Sequence, residues 1–367
     1  MLESVILDSV GIEIEFANTP MNKIKGKIPR SWKIERDGSL TRDVPMLGDR
    51  EVSLELNSLR RFASIPQGRI GGELVSPILS FEKVQKLVTD LNDIMDLLKG
   101  VSEQVSDLAS IHVHIYAGKY PPLTFFCNYI RLIRAIEAPV FRLSVGESVE
   151  HRGITNDDYL YCRPVTGDGP QYVRDLDTGV WTKAFDLDKL LENAKTVNDM
   201  IRGWCRSDHQ PNKWVPGRYY WTHFVSLWRR GTLEFRQFNQ TMHTKYILAW
   251  LDLSRAIVKK AWAGGCDLPE FGLGRKTPIG STDPYHFEDF LQIITPDLFR
   301  LPGTVAILEE LWYKSKWQPG PNPQVNHLCR NRGSLVPFDE IRKELIPDEV
   351  TESYISSIWN DGHRRGH

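Results

Sequence analysis

Three segments far apart in the chain alternate between apolar and polar residues. They are Gly11-Ile-Glu-Ile-Glu-Phe16, Ser110-Ile-His-Val-His-Ile-Tyr116 and Gly231-Thr-Leu-Glu-Phe-Arg236. Alternation with period two marks a strand with one buried face. The buried sides are then Ile12, Ile14 and Phe16; Ile111, Val113 and Ile115; Leu233 and Phe235. The other sides carry Glu13 with Glu15, His112 with His114, and Glu234 with Arg236. Side chains at i and i+2 of a strand leave the same face, roughly 6–7 Å apart. A fourth segment, Gly72-Glu-Leu-Val-Ser-Pro77, offers Glu73. Joined in one sheet, these strands collect Glu13, Glu15, Glu73, His112, His114, Glu234 and Arg236 on a single face.

Any one pair alone reads as the solvated side of an amphipathic strand. The combination demands more. Four carboxylates and two imidazoles on one face repel or stay idle unless a positive partner joins them. Hard divalent ions such as Mg²⁺ and Mn²⁺ take carboxylate oxygens and an occasional imidazole nitrogen. Magnesium shares its shell with substrate phosphates, and nearby arginines clamp such phosphates through forked, charge-assisted hydrogen bonds.

The remaining chain mixes strands and helices without a βαβα rhythm. Strand patterns cover Val5–Phe16, Trp32–Glu35 before the turn Asp37-Gly38, Glu51–Leu56, Gly72–Ser76 and Ser110–Tyr116. Val84, Leu87, Val88, Leu91, Ile94, Met95 and Leu98 share one helical face within Phe81–Leu98. Leu123–Leu143, with Pro139 near its end, reads as a helix buried on several sides. Asp186–Trp204 and Lys245–Trp262 read as helices, the second stopped by Gly264-Gly265. Arg218–Phe238 reads as two strands flanking Arg230-Gly231, and further helical patches lie at Phe287–Ile294 and Val305–Tyr313. This mixture predicts an α+β fold with a largely antiparallel sheet and flanking helices. Residues 1–263 are expected to form the catalytic domain, with 150–182 as a long loop or insertion. Residues 264–367 are expected to form a helical C-terminal extension packed on it.

Forty-six basic against 47 acidic residues leave a net charge of −1. That balance gives no general attraction to nucleic acid or anionic membrane. No apolar run approaches the ~20 residues of a membrane span, and Met1-Leu2-Glu3-Ser4 lacks the basic start of a signal peptide. The five cysteines are scattered without a C-x-x-C pair, which argues against a zinc ribbon and fits reduced thiols in a cytoplasm. Common nucleotide and hydrolase motifs are missing: no G-x-x-x-x-G-K-[ST], no G-x-G-x-x-G, no H-E-x-x-H and no G-x-S-x-G. Phe271-Gly-Leu-Gly-Arg-Lys276 lacks phosphate-loop spacing and reads as an ordinary loop.

In chain order, Gly11–Phe16, Asp37-Gly-Ser-Leu40, Gly72–Pro77, His112-Val-His114, Arg218-Tyr219 and Gly231–Arg236 with Thr241 form a series. The series resembles the amidoligase family. That family belongs to the carboxylate–amine ligase superfamily of glutamine synthetase and glutamate–cysteine ligase. The resemblance implies a curved sheet of the glutamine synthetase catalytic type whose concave face binds ATP with Mg²⁺ or Mn²⁺. Glu15 and Glu73 would hold one ion. Glu13, His112 and Glu234 would hold another that bridges the γ-phosphate. His114 would lie near the nucleotide phosphates, and Arg236 and Arg218 would contact the transferring phosphoryl group. Asp37 and Ser39 would sit at the rim. Two departures concern the substrate pocket: His223 stands where an asparagine is expected, and Gln240-Thr241 where Gly-Thr is common.

The resemblance implies a small-molecule or peptide acid and amine, joined as an amide through an acyl phosphate. Asp157 or Asp158 could serve as general base. Trp214, Trp221 and Trp228 are either a ligand platform or core packing, with packing favoured for at least two. Arg229-Arg230 reads as a solvated turn. Two rivals use the same residues: a metal-dependent hydrolase of an amide or phosphoester, and a non-catalytic nucleotide-binding module.

Overall fold

The computed structural model describes residues 9–17, 19–35, 71–101, 105, 109–118, 121–147, 172–174, 181–183, 187–197, 199–200, 204, 221–264 and 287–315. Several expectations lie outside those residues: Asp37, Ser39, the Glu51–Leu56 strand, Asp157, Asp158, Trp214, Arg218, and Phe271–Lys276.

The strands are β1 (Ser9–Phe16), β2 (Lys33–Glu35), β3 (Gly72–Val75), β4 (Leu79–Ser80), β5 (Ser110–Tyr116), β6 (Tyr172–Arg174), β7 (Trp181–Lys183), β8 (Thr222–His223) and β9 (Thr232–Asn239). The helices are α1 (Met21–Ile24), α2 (Val84–Gly100), α3 (Leu123–Leu143), α4 (Leu187–Asn193), α5 (Val225–Arg230), α6 (Thr244–Ala263), α7 (Phe287–Ile294) and α8 (Thr304–Lys314). Strands and helices together make the α+β class expected from the mixed pattern. The main sheet is open and antiparallel, ordered β2-β3-β1-β5-β9-β8, with β4 paired to the start of β1. The hairpin β6–β7 stands apart, within the stretch read as a loop or insertion.

The apolar face of the sheet is the core. Ile12, Ile14, Phe16, Ile111, Val113, Ile115, Leu233 and Phe235 are all essentially inaccessible to solvent. Helices α3 and α6 pack on each other, and α6 lies against β5. Helix α6 is buried along most of its length, from Tyr246 to Val258, with Asp252, Ser254 and Arg255 among the buried residues. On the amphipathic α2, Leu87, Leu91, Ile94, Met95 and Leu98 are buried, whereas Val84 and Val88 are half-buried. Asp90 joins the buried side because its carboxylate accepts hydrogen bonds from Trp32 Nε1 (3.2 Å) and Lys86 Nζ (2.7 Å).

Two local features depart from the sequence pattern. From Ile111 to Val113 on β5, the partner strand β9 runs from Phe238 to Phe235, so β9 carries one extra residue. Simple alternation puts Phe238 beside Arg236. The bulge turns Phe238 into the core instead, where its ring stacks on Trp250 at 4.9 Å. Second, among the described residues 221–230 before Gly231, Thr222–His223 alone form a strand beside β9, and Val225–Arg230 is helix α5. Gly231 ends that helix at φ 72°, a left-handed conformation suited to glycine.

Helices α7 and α8 dock on α3 and α6. The dock centres on Asp252, which is fully buried. Its carboxylate accepts hydrogen bonds from Arg300 N (2.9 Å), Leu301 N (2.8 Å) and Thr304 Oγ1 (2.9 Å), with Arg255 Nη1 at 3.4 Å. Trp221 is also fully buried, packed on Phe141 and Phe235, and donates Nε1–H to Glu137 at 2.7 Å. Its fate is packing, not a ligand platform.

Candidate active site

Strand register builds the polar face row by row. Glu13 stands opposite His112, Gly11 opposite His114, and His114 opposite Glu234. Glu15 stands opposite Glu73, and Glu73 opposite Glu35. Glu35 is an addition from register alone. It lies on an edge strand three residues long, too short for its alternation to be read.

Glu13 lies between the two histidines. Its Oε2 is 3.2 Å from His112 Nδ1, and its Oε1 is 3.2 Å from His114 Nε2. Gly11, directly opposite His114, has no side chain, so Glu13 can lean into that row. His112 Nε2 faces Ser110 Oγ at 2.9 Å and Glu15 Oε1 at 3.4 Å. Ser110 donates to Glu15 Oε2 from its backbone N–H (2.7 Å) and its hydroxyl (2.5 Å). Glu234 accepts from Ser226 Oγ at 2.7 Å and pairs with Arg236 Nη1. Thr232 Oγ1 lies 3.5 Å from His114 Nδ1. Arg230 Nη1 comes within 3.5 Å of Glu13 Oε1.

Glu13, His114 and Glu234 each offer a ligand atom, and these atoms lie within 4.8 Å of one another. His112 Nδ1 lies 3.2 Å from Glu13 Oε2 and 3.9 Å from Glu234 Oε1, while its other nitrogen is engaged by Ser110 and Glu15. His114 Nε2 is buried and has no aligned hydrogen-bond donor or acceptor, although Glu13 is close. An orphaned imidazole nitrogen facing two carboxylates is the donor set a divalent cation takes.

Burial pulls the Glu13 pKa up, but the charge on His114 and the close approach of both imidazoles outweigh it. The carboxyl is held well below its usual range. Burial pulls His114 down, while Glu13 and Glu234 pull it up harder, so the imidazole holds its proton more firmly than usual. Burial works against the charge of Arg236 too, but Glu234, Glu15 and Glu13 more than compensate, so it stays cationic.

Of the expected site residues, Glu13, Glu15, Glu73, His112, His114, Glu234 and Arg236 stand on one face of one sheet. Arg218 lies outside the described residues. Sequence reasoning missed Ser226 and Arg230. Read as a strand and a turn, that stretch gave no cue that the two are one helical turn apart on α5 and both reach the site.

Residues 7–258 match the family described as "Putative amidoligase enzyme". The match covers most of the chain and every residue of the polar cluster. The chain belongs to the amidoligase family. It is thereby a ligase-type enzyme, and β1, β3, β5 and β9, with their carboxylates and imidazoles, all fall inside the matched region. Comparison with curated proteins returns no match. Among the described residues, no helix is long and apolar enough to cross a membrane.

Proposed function

We propose that this amidoligase is an ATP-dependent carboxylate–amine ligase built on a glutamine synthetase-type sheet. The observation that carries the reading is the gathering of Glu13, His114 and Glu234 within 4.8 Å, with Arg236 paired to Glu234 beside them. Mg²⁺ or Mn²⁺ would be held by Glu13, Glu234 and an imidazole. The family resemblance assigns that imidazole to His112, and the unpartnered, buried Nε2 of His114 favours His114. Glu15 and Glu73, neighbours across β1 and β3, would hold a second ion. Bound there, the ions would neutralise phosphate charge.

The reaction has two steps. An oxygen of the substrate carboxylate attacks the γ-phosphorus of ATP, and the bond to the ADP oxygen breaks. The acyl phosphate then meets an amine, whose nitrogen attacks the carbonyl carbon while the bond to phosphate oxygen breaks. The amide, ADP and phosphate are the products, and the ammonium proton leaves to a base. Arg236, cationic and nearly enclosed, would face the transferring phosphoryl group, as would Arg218. Such fixed charges need no reorganisation as negative charge builds up. Ser110 orients Glu15, and Ser226 orients Glu234, so both carboxylates keep one geometry. The acid and amine are a small molecule or peptide each.

The test is ATP turnover with Mg²⁺ against pools of carboxylates and amines, with mass spectrometry of condensed products. Glu13→Gln and Glu234→Gln each remove charge but not volume. Both are expected to abolish turnover while leaving the circular dichroism spectrum unchanged. ADP formation independent of acid and amine favours a hydrolase instead. Full turnover in either variant removes that residue from the site.

A further inference from the structure

Helix α5 presents two groups to the polar face, Ser226 and Arg230, four residues apart. Ser226 is committed to Glu234. Arg230 is not committed in the same way. Its side chain is 63% exposed, and its contact with Glu13 is long, at 3.5 Å. An exposed ion pair of that kind contributes about 0–1 kcal/mol, so stability gives little reason for a guanidinium at this spot.

The backbone under it is nonetheless tightly defined. Gly231 follows at φ 72°, and a Cβ there would lie 2.6 Å from the Tyr116 ring. The turn carries the chain directly from Arg230 into β9 and Glu234. Arg230 therefore has a fixed root and a largely exposed head, in long contact with Glu13, at the solvent edge of the Glu13–His114–Glu234 group. Arg236 is its opposite: only 11% exposed, and locked on Glu234.

Charge balance indicates what that exposed head is for. The four carboxylates Glu13, Glu15, Glu73 and Glu234 against Arg230 and Arg236 leave the face with two negative charges. The two divalent cations of the ligase reading turn that into two positive charges, with His114 neutral as a ligand. The carboxylates and imidazole approach such an ion from the sheet, so its remaining positions face outward, toward Arg230. An anion with more than one negative charge, bound at those positions, meets the guanidinium fork.

We propose that Arg230 is a catalytic residue that leaves Glu13 when the divalent cation binds and grips the terminal phosphate of the nucleoside triphosphate. This deepens the ligase reading and rests on it. The assignment separates the triphosphate from the diphosphate, because only the former has the group that Arg230 holds.

The test is calorimetric titration of the full chain with ADP and with a non-hydrolysable ATP analogue in Mg²⁺, alongside Mn²⁺ alone followed by paramagnetic resonance. Arg230→Gln is expected to weaken the triphosphate analogue by about 10–100-fold, the span of a charged hydrogen bond. ADP affinity should change by less than about twofold, and Mn²⁺ alone should bind at least as tightly as to the native chain. Arg230→Lys should recover part of the triphosphate affinity, as a point charge without the fork. Equal losses for both nucleotides, an unchanged triphosphate affinity, or weakened Mn²⁺ binding would each overturn the role of Arg230. If the native chain binds neither nucleotide with Mg²⁺, the ligase reading falls and takes this inference with it. If the native chain prefers the triphosphate and Arg230→Gln keeps that preference, Arg230 alone is excluded.

Discussion

Glu13 is the register partner of His112, yet its other carboxylate oxygen lies 3.2 Å from His114 Nε2, one row further along β5. One carboxylate thus joins both histidines of the strand. In the cation-free protein His114 holds its proton more firmly than a free imidazole, and Glu13 gives its proton up more readily than a free carboxyl. The raised His114 pKa contributes stability that is full below about pH 6.5 and fades as pH rises through the folded value. The lowered Glu13 pKa contributes stability above its usual 4.5 that is lost as pH falls through the folded value. A cation must displace the His114 proton. Mn²⁺ affinity should therefore climb as pH rises across the imidazole range, with proton release visible as a buffer-dependent binding enthalpy. His114→Gln should flatten that slope. A native affinity independent of pH contradicts the ligand role of His114.

Ser110 holds Glu15 through two donors and also meets His112. Ser110→Ala removes one donor and leaves the backbone N–H in place. Cation affinity should fall by about 10–100-fold, the usual cost of losing such a supporting hydrogen bond. The melting temperature should barely move. A large stability loss at constant affinity would make Ser110 a folding residue only.

Gly231 is where sequence, turn and site meet. Gly231→Ala forces a side chain into a left-handed backbone at about 1–2 kcal/mol, and drives its Cβ against the Tyr116 ring. A lowered denaturation midpoint is expected. Adding Tyr116→Ala should recover the part due to the ring and leave the part due to the backbone. No recovery would show that the ring clash is negligible.

The Asp252 carboxylate accepts two backbone N–H groups and one hydroxyl from the 300–304 turn, and it faces the buried Arg255. Asp252→Ala leaves those donors without their acceptor and takes the carboxylate away from Arg255 in the interior, and should cost about 3–5 kcal/mol. Hydrogen exchange should accelerate first in 296–304. A loss under about 1 kcal/mol would mean that α7 and α8 dock by packing alone.

Much of the sheet was legible because β1, β5 and β9 each show period-two alternation, and one buried face leaves that pattern little freedom. The long helices α2, α3 and α6 were legible for the same reason at helical period. What alternation cannot carry is an extra residue. Glu234 and Arg236 fit the pattern, but Phe238 breaks it, and the bulge shows only once β5 is alongside. Helix α5 was hidden because six residues make too few turns for a periodicity, and Arg229-Arg230-Gly231 looks like a turn from composition. Glu35 was hidden because its place depends on pairing with Glu73, not on its own neighbours. Gathering the acidic and imidazole groups was thus foreseeable from local pattern. Which histidine faces which carboxylate was not, since that depends on how Glu13 leans past Gly11.

The central claim is that a carboxylate oxygen takes the γ-phosphoryl group before the amide forms. The chain, Mg²⁺ and ATP are incubated with amines and with acids carrying heavy oxygen in both carboxylate positions, and the released phosphate is weighed by mass spectrometry. The account predicts ADP, an amide, and phosphate that has gained one heavy oxygen from the acid. Phosphate whose new oxygen comes from water, or ATP left intact with every acid and amine offered, contradicts it.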